Sequence, residues 1–337
     1  MTIEDARTDV AVIGGGISGF TAACTLARLG LRVTILEKEA RPGGRVAELA
    51  CMATDRCRRC SACLLNDLRA EAARYPSITV ETDCEVTGGS RSPAGVTLAV
   101  ARACRPGTET IAARGAMICT GFDVFDAERK PYLGCGRLPG VITTLELDHE
   151  IARAGGAPWT VGGAVPKKVA FVQCVGSRES REGRGYCSQV CCQVSLRLAG
   201  KILHLAPETE ITIHYIDLQL ARRGILATRE DLGGKVRLVQ GVPGEIEAAP
   251  GGGLLVRHED RGGGGGTSTV FDAVVLAVGM VPRPSTARIA SALGLEPGEY
   301  GFAASGGPPG MAAGACTFPS DIPGAMTAAR DAARAMA

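Results

Sequence analysis

The sequence predicts an α/β protein in which a Rossmann-type dinucleotide-binding domain is interrupted by a second domain of nucleotide-fold type. Three observations predict it. A strand, a glycine turn, a helix and a second strand follow one another over residues 8–37. Two more apolar strands that end on glycine, residues 116–121 (AMICTG) and 273–279 (AVVLAVG), lie far downstream. Between them, residues 168–173 (KVAFVQ) and 210–216 (EITIHYI) read as another pair of strands, separated by a helical stretch.

The first element is an apolar strand, TDVAVI, running into Gly14-Gly15-Gly16-Ile17-Ser18-Gly19. A helical pattern continues to Gly30, and the strand from Leu31 to Leu36 ends at Glu37. Each glycine has a purpose: Gly14 for the tight turn, Gly16 for backbone approach to a pyrophosphate, Gly19 for close packing of helix on strand. The helix N-terminus offers free N–H groups and the positive end of its dipole to phosphate. Glu37 stands where an acid accepts hydrogen bonds from an adenosine ribose.

Bulk properties exclude several classes. The 337-residue chain holds 37 basic and 35 acidic residues, so no field draws it to nucleic acid or an anionic membrane. Aromatics make up 4%, too few for base stacking. The start, MTIEDARTDVAVIGGG, lacks the basic n-region and apolar core of a signal peptide, and no apolar run reaches the roughly 18 residues that span a bilayer. A cytoplasmic protein, not integral to a membrane, is the expectation. In a reducing compartment, 14 cysteines point to metal or redox work more than to disulfides.

Shortly after Glu37 and Lys38 comes Arg41-Pro42-Gly43-Gly44-Arg45. This Gly-Gly-Arg segment, the strand ends at Thr120-Gly121 and Gly279, and the C-terminal Gly310-Met311-Ala312-Ala313-Gly314 with Asp321-Ile322-Pro323 resemble the FAD-containing two-dinucleotide flavoproteins of thioredoxin-reductase type. The resemblance implies FAD at the first site, lined by Gly14, Gly16, Ser18, Gly19, Glu37, Lys38, Gly43, Gly44, Arg45, Val86, Thr120, Gly121, Gly279, Met280, Gly314, Asp321, Ile322 and Pro323. Gly279-Met280 and the helix start at Asp321 are expected against the isoalloxazine ring. The discontinuous FAD domain is expected over residues 1–155 and 277–337, with the inserted domain over 156–276.

In that superfamily the inserted domain binds NAD(P)H through its own glycine turn. Here the strand 168–173 runs instead into Cys174, followed by Cys187, Cys191 and Cys192, spaced C-x12-C-x3-C-C. Cys174 sits at a strand's C-terminal end, where such sheets present ligands. If helical, Cys187 and Cys191 lie one turn apart. Four thiolates can hold a [4Fe–4S] cluster.

Residues 168–178 (KVAFVQCVGSR), Tyr186-Cys187-Ser188, Val190-Cys191-Cys192, residues 141–146 (VITTLE) and the ending 312–323 resemble the heterodisulfide reductase HdrA-type family over nearly the whole chain. The resemblance implies an FAD and iron–sulfur oxidoreductase component that works with disulfide-reducing, quinone-reducing or sulfur-oxidising partners, and a homodimer when isolated. Without an inserted or C-terminal ferredoxin segment, the chain looks like a short form, similar to the A-type component of the sulfur-oxidising heterodisulfide-reductase-like system.

A second group, Cys51, Cys57, Cys60 and Cys63, has Arg56, Arg58 and Arg59 around it. Positive charge there would favour thiolates. Three readings stay open: a second cluster, thiols that supplement the first or meet a partner, or a redox-active disulfide in a free-standing NAD(P)H-dependent disulfide oxidoreductase. The last is weakened by the absence of a C-terminal histidine base. Cys24, Cys84, Cys104, Cys119, Cys135 and Cys316 are isolated and are expected in the core. Residues 262–266 read as a glycine linker between two strands, residues 217–223 as surface charge, and Trp159 as part of an interdomain connection.

Overall fold

The computed structural model describes residues 8–55, 57–219, 230, 232–260 and 265–337. The chain divides into two compact units: residues 1–48, 61–123 and 281–337 form the first, and residues 49–60 and 124–280 the second.

The first unit opens with β1 (Thr8–Ile13), α1 (Ile17–Arg28) and β2 (Val33–Leu36), then the short α2 (Gly44–Ala47) and α3 (Leu64–Ala72). β3 (Ile78–Glu81), β4 (Cys84–Ser92), β5 (Gly95–Arg102) and the long β6 (Arg105–Ile118) complete this stretch. β1 pairs in parallel with β2 and β6, with Val10 opposite both Val33 and Gly115. Because β1 is central and covered on both faces, its last four residues are all buried. β4 and β5 form an antiparallel flap on β6.

The second unit contains β7 (Val141–Thr143), α4 (Thr144–Ala154), β8 (Lys168–Val175), α5 (Cys191–Leu205), β9 (Glu210–Tyr215) and β10 (Val236–Gln240). Then come β11 (Glu245–Ala248), β12 (Leu254–Asp260), β13 (Gly265–Phe271) and β14 (Ala273–Val278). Five of these strands make a parallel sheet in the order β10-β9-β8-β14-β7, and β11-β12-β13 form a separate antiparallel sheet. A capping box starts α4: the Thr143 hydroxyl accepts from the Glu146 N–H, and the Glu146 carboxylate accepts in return from the Thr143 N–H at 2.7 Å.

The chain then returns to the first unit with α6 (Pro284–Ala292), β15 (Gly306–Gly307), β16 (Gly310–Ala312) and α7 (Ile322–Met336). β16 adds in parallel to β6, so the sheet built by the N-terminal third is finished by the C-terminus. Ala325, Ala329 and Ala333 of α7 share one core with Ala22, Ala23 and Leu26 of α1. Small residues on both helices allow this close approach.

The unit boundaries differ from the 1–155, 156–276 and 277–337 division. Residues 124–155 join the second unit because β7 pairs with β14, and because Leu147 and Ile151 of α4 pack on Val169 and Phe171 of β8. Residues 49–60 join it as well, with Ala50 and Met52 in the same core. Trp159 belongs to that core and is no exposed connector. Gly265 and Gly266 are strand residues of β13, while 262–264, Arg56, Arg222 and Arg223 lie outside the described residues. Cys24, Cys84, Cys119 and Cys316 are core as expected, whereas Cys104 is exposed and Cys135 half-buried.

A Cβ on Gly19 would overlap the carbonyl oxygen of Gly14. Backbone cannot yield as a flexible side chain does, so Gly19→Ala is expected to cost about 1–3 kcal/mol. A melting curve should show the transition several degrees lower, with weakened retention of any bound nucleotide.

Candidate cofactor and cysteine sites

The glycine turn of the first unit is shaped for close backbone approach. Gly14 has φ 106°, a conformation only glycine adopts freely, and its N–H donates to the Leu36 carbonyl at 2.8 Å. Gly16 faces Gly43 and Gly44: a Cβ on Gly44 would sit 3.2 Å from the Gly16 Cα. Two glycine-bearing segments thus meet with no side chain between them, which leaves N–H groups accessible to an anion. Arg45 follows, and its Nε is buried without a hydrogen-bond partner. Such a donor is costly to leave unmade. The gap and the idle donor fit a diphosphate.

Glu37 is buried at the end of β2. Its Oε2 accepts from the Gly15 N–H at 2.7 Å and its Oε1 from the Glu39 N–H at 2.9 Å. Each oxygen keeps a second lone pair for a ribose hydroxyl. Lys38 is exposed and pairs with Glu39 at 3.4 Å, a surface ion pair of small worth. Val86 is buried on β4 beside a bulge.

Both chain ends converge on α1. A Cβ on Gly314, which has φ 81°, would overlap the Ser18 Oγ. Asp321 caps α7 through its Oδ1, which accepts from the Gly324 N–H at 2.9 Å, with Pro323 in the first turn after Ile322. Thr120 follows β6, its hydroxyl 2.6 Å from that of Thr286, and Gly121 has φ 73°.

Gly279 and Met280 belong to the second unit, where the cysteine loop holds them. The Gly279 N–H donates to the Val175 carbonyl at 2.8 Å. The Met280 N–H donates to the Ser188 Oγ at 2.9 Å, and the Tyr186 hydroxyl donates to the Met280 carbonyl at 2.7 Å. A Cβ on Gly279 would come 2.9 Å from both Ser177 Cβ and Ser188 Oγ, so glycine is required there.

The loop itself replaces a nucleotide turn. Cys174 leaves β8 with φ 62°, and Arg178 and Gln189 have φ 59° and 63°. Side chains in this left-handed region cost about 1–3 kcal/mol each and gather at functional sites. α5 starts at Cys191, so Cys187 lies in the preceding turn and is not helical with it. In that turn the Gln189 N–H points at the Cys187 Sγ, 3.2 Å away. Cys191 and Cys192 are buried; Cys174 and Cys187 are partly so. Burial pushes the Cys174 thiol up to about 12, against the pull of Arg178, and raises Cys191 and Cys192 as well. Thiols held neutral this way are poor nucleophiles.

The four cysteines are close enough that Cys191 feels the charge of Cys174, Cys187 and Cys192. Among the described residues, no three His, Cys, Asp or Glu side chains come together tightly enough for one metal ion. A single ion draws its sulfurs to about 2.3 Å from itself. What the quartet offers is a donor set of the class that a [4Fe–4S] cluster takes, four cysteine thiols from one strand end, the turn after it and the helix start that follows.

Asp217 is an exposed charge, as its sequence position suggests. It follows β9, where a dinucleotide domain offers an acid to ribose, and Arg178 grips it with both guanidinium nitrogens at 2.5 and 2.9 Å. Gln173 and Ser177 fall within the signature 168–178 and Ser195 outside it; all three are buried with side-chain polar atoms that have no hydrogen-bond partner. The glutamine inside KVAFVQ is the one signal the sequence carries, since a buried polar residue in an apolar strand is the informative exception.

Of the second cysteine group, Cys51, Cys57 and Cys60 fall in the second unit and Cys63 in the first. The segment 49–60 is tied down by backbone contacts: Lys201 Nζ donates to the Ala53 carbonyl at 2.7 Å, Arg197 to the Arg59 carbonyl at 3.1 Å, and the Ala50 N–H to the Asp148 carboxylate. Arg59, with φ 51°, directs its N–H at the Cys57 Sγ, 3.4 Å away. Cys187 and Cys57 thus share one local design.

Residues 12–58 match the family described as NAD(P)-binding Rossmann-like domain. The chain is 30% identical to an A-type iron-sulfur component of the CoB–CoM heterodisulfide reductase of Methanopyrus kandleri, over 100% of this chain and 66% of that protein. It is 31% identical to the corresponding iron-sulfur component of the CoB–CoM heterodisulfide reductase of Methanocaldococcus jannaschii, over 96% of this chain and 63% of that one. The chain belongs to the HdrA family of heterodisulfide reductase components. It spans between about half and two thirds of the length of such relatives. Among solved structures, the thioredoxin reductase of T. acidophilum matches with TM-score 0.64 at 19% identity, covering 98% of this chain and 97% of that chain. The thioredoxin reductase of Lactococcus lactis matches with TM-score 0.60 at 18% identity, covering 97% of each. The fold is therefore thioredoxin-reductase-like. Among the described residues, no helix is long and apolar enough to cross a membrane.

Asp148 makes the anchoring of segment 49–60 sensitive to pH. Burial raises its pKa from 3.8 to about 6, while the Ala50 N–H and His149 oppose the shift. The folded state thus binds the proton more tightly than the unfolded one, and stability falls as pH rises through this window. The shift corresponds to roughly 3 kcal/mol at most. Asp148→Asn, which keeps an acceptor for Ala50 without the charge, should melt several degrees higher at pH 7.5 and no higher at pH 3.5.

Proposed function

We propose that the chain is an FAD- and [4Fe–4S]-containing electron-transfer subunit of a heterodisulfide-reductase-like complex in sulfur or disulfide redox metabolism. The observation that carries this reading is the second unit's nucleotide turn. The strand, helix and acid of a dinucleotide site are present, but the turn carries Cys174, Cys187, Cys191 and Cys192, and the acid is held by Arg178. Soluble NAD(P)H has no glycine turn there, and the acid that would meet its ribose is paired with Arg178. An exchange partner on the protein takes its place.

In this reading Gly14, Gly16, Gly19, Gly43, Gly44 and Arg45 bind the FAD diphosphate, and Glu37 orients its ribose. Ser18, Lys38, Val86, Thr120, Gly121, Gly314, Asp321, Ile322 and Pro323 line the remainder in the first unit. The capped N-terminus of α7 favours negative charge near it. Gly279 and Met280 complete the set, rigid because the cysteine loop consumes their backbone groups. Bound FAD exchanges electrons singly or in pairs and a cluster exchanges one, so the protein's part is to position both and tune their potentials. No side chain is assigned as a general base.

The four quartet cysteines are the proposed cluster ligands. Cys51, Cys57, Cys60 and Cys63 are the proposed second group, and the N–H···S turn that Cys57 shares with Cys187 supports a ligand role for it. The partners are the other subunits of such a complex, in the cytoplasm, with a homodimer for the isolated protein. The sulfur-oxidising heterodisulfide-reductase-like system is the proposed setting. The other reading, a disulfide reductase using a pair among the second group, would give a flavin that NADPH bleaches.

Anaerobic purification tests this directly. Flavin should be FAD, with about four irons and four acid-labile sulfides per chain, or about twice that if the second group also holds a cluster. Cys191→Ser should lose most of the quartet's iron and keep FAD. NADPH alone should leave the flavin oxidised; bleaching without any iron present would favour the disulfide reductase.

A further inference from the structure

We propose that Gln173, Ser177 and Ser195 donate hydrogen bonds to the sulfur atoms of the group held by the cysteine quartet, and so set its reduction potential. This rests on the cluster reading of Cys174, Cys187, Cys191 and Cys192.

The three residues are 1%, 2% and 0% exposed, and none of their side-chain polar atoms has a hydrogen-bond partner. Buried polar groups are nearly always paired, so three residues with idle ones require a cause. Each is close in sequence to a quartet cysteine. Gln173 directly precedes Cys174 on β8 and follows Phe171 by two residues. Strand alternation therefore puts it on the face of Val169 and Phe171, which pack against Leu196 and Ala199 of α5. Ser177 lies in the turn after Cys174, and its N–H donates to the Cys174 carbonyl at 3.2 Å. Ser195 stands one helical turn beyond Cys191.

The surroundings are not loosely arranged. Ser188, in the same loop, accepts from the Met280 N–H at 2.9 Å, and Tyr186 donates to the Met280 carbonyl. A buried serine within a helix ordinarily satisfies itself on the carbonyl four residues back. For Ser195 that carbonyl belongs to Cys191, and the bond is not made. The site offers donors, two N–H from the glutamine amide and one O–H from each serine, beside one idle acceptor, the Gln173 Oε1. Thiolate and sulfide sulfurs only accept. The match is one of chemical class, on residues that neighbour the quartet cysteines along β8, its following turn and α5.

Reduction adds negative charge to a cluster. Donors aimed at its sulfurs stabilise the reduced form and raise the potential. Removing them should lower it, with no change in the ligands themselves.

The test uses the full chain, purified anaerobically and titrated with dithionite while the reduced cluster is followed by EPR. Gln173→Met keeps the length of the side chain and loses its donors; Ser177→Ala and Ser195→Ala lose one hydroxyl each. Val172→Ala, on the same strand, removes packing and no donor, and serves as the structural control. The double variant Gln173→Met, Ser177→Ala should shift the oxidised-to-reduced equilibrium about tenfold, near 59 mV downward for one electron, with iron content at the wild-type level. Val172→Ala should leave the midpoint in place. An unchanged midpoint at full iron content would overturn the proposal, as would loss of iron from the donor variants or an equal shift in Val172→Ala. A wild-type chain that takes up no iron, even on reconstitution, would instead overturn the cluster reading beneath it.

Discussion

The backbone of Met280 is held from both sides by the cysteine loop. Its N–H is taken by Ser188 and its carbonyl by Tyr186, while the Gly279 N–H bonds back to Val175. Both donors and acceptors are buried, so each broken bond would leave a costly unpaired group, about 1–3 kcal/mol apiece. Residue 280 is also where the chain leaves the second unit. The loop that carries Cys174 and Cys187 therefore fixes the exit of the last strand, and neither can shift without the other. Glycine at 279 is the condition for this closeness, since any Cβ would press on Ser177 and Ser188.

The same loop explains why the second unit keeps a nucleotide frame without a nucleotide turn. A parallel sheet presents its ligands at the C-terminal ends of its strands, whatever the ligand is. β8 ends at that edge and α5 begins there, so four thiols placed on the two ends gather without any change to the sheet. Arg178 then pairs with Asp217, the acid placed where a ribose would be received. Burial, partial for Cys174, raises the pKa of Cys174, Cys191 and Cys192 as free thiols, an arrangement ill suited to disulfide exchange.

Much of the fold was legible in the sequence because its constraints are local. Gly14, Gly16, Gly19 and Glu37 need one another within a single strand-turn-helix-strand unit, and only one fold satisfies their spacing. That residues 310–314 belong with the N-terminal domain was readable from resemblance; their pairing with β6 was not. The membership of residues 49–60 and 141–154 in the second unit was not, because it depends on long-range packing of Met52, Leu147 and Ile151 that no periodicity encodes. The condition under which Cys187 and Cys191 would lie one helical turn apart is not met, since a left-handed Gln189 stands between Cys187 and the helix that starts at Cys191. The roles of Arg178, Ser188 and Tyr186 arise from partners many residues away, and a motif cannot display them.

The central claim is that the flavin of this chain exchanges electrons with a cluster held by its own cysteines. Photoreduction of the anaerobic protein, with no mediator and with EPR and absorbance followed together, tests it most directly. The account predicts that a reduced-cluster EPR signal grows as the flavin bleaches, and that it disappears in Cys191→Ser while bleaching remains. A flavin that bleaches fully in the wild-type protein while an iron-replete cluster stays oxidised would contradict it.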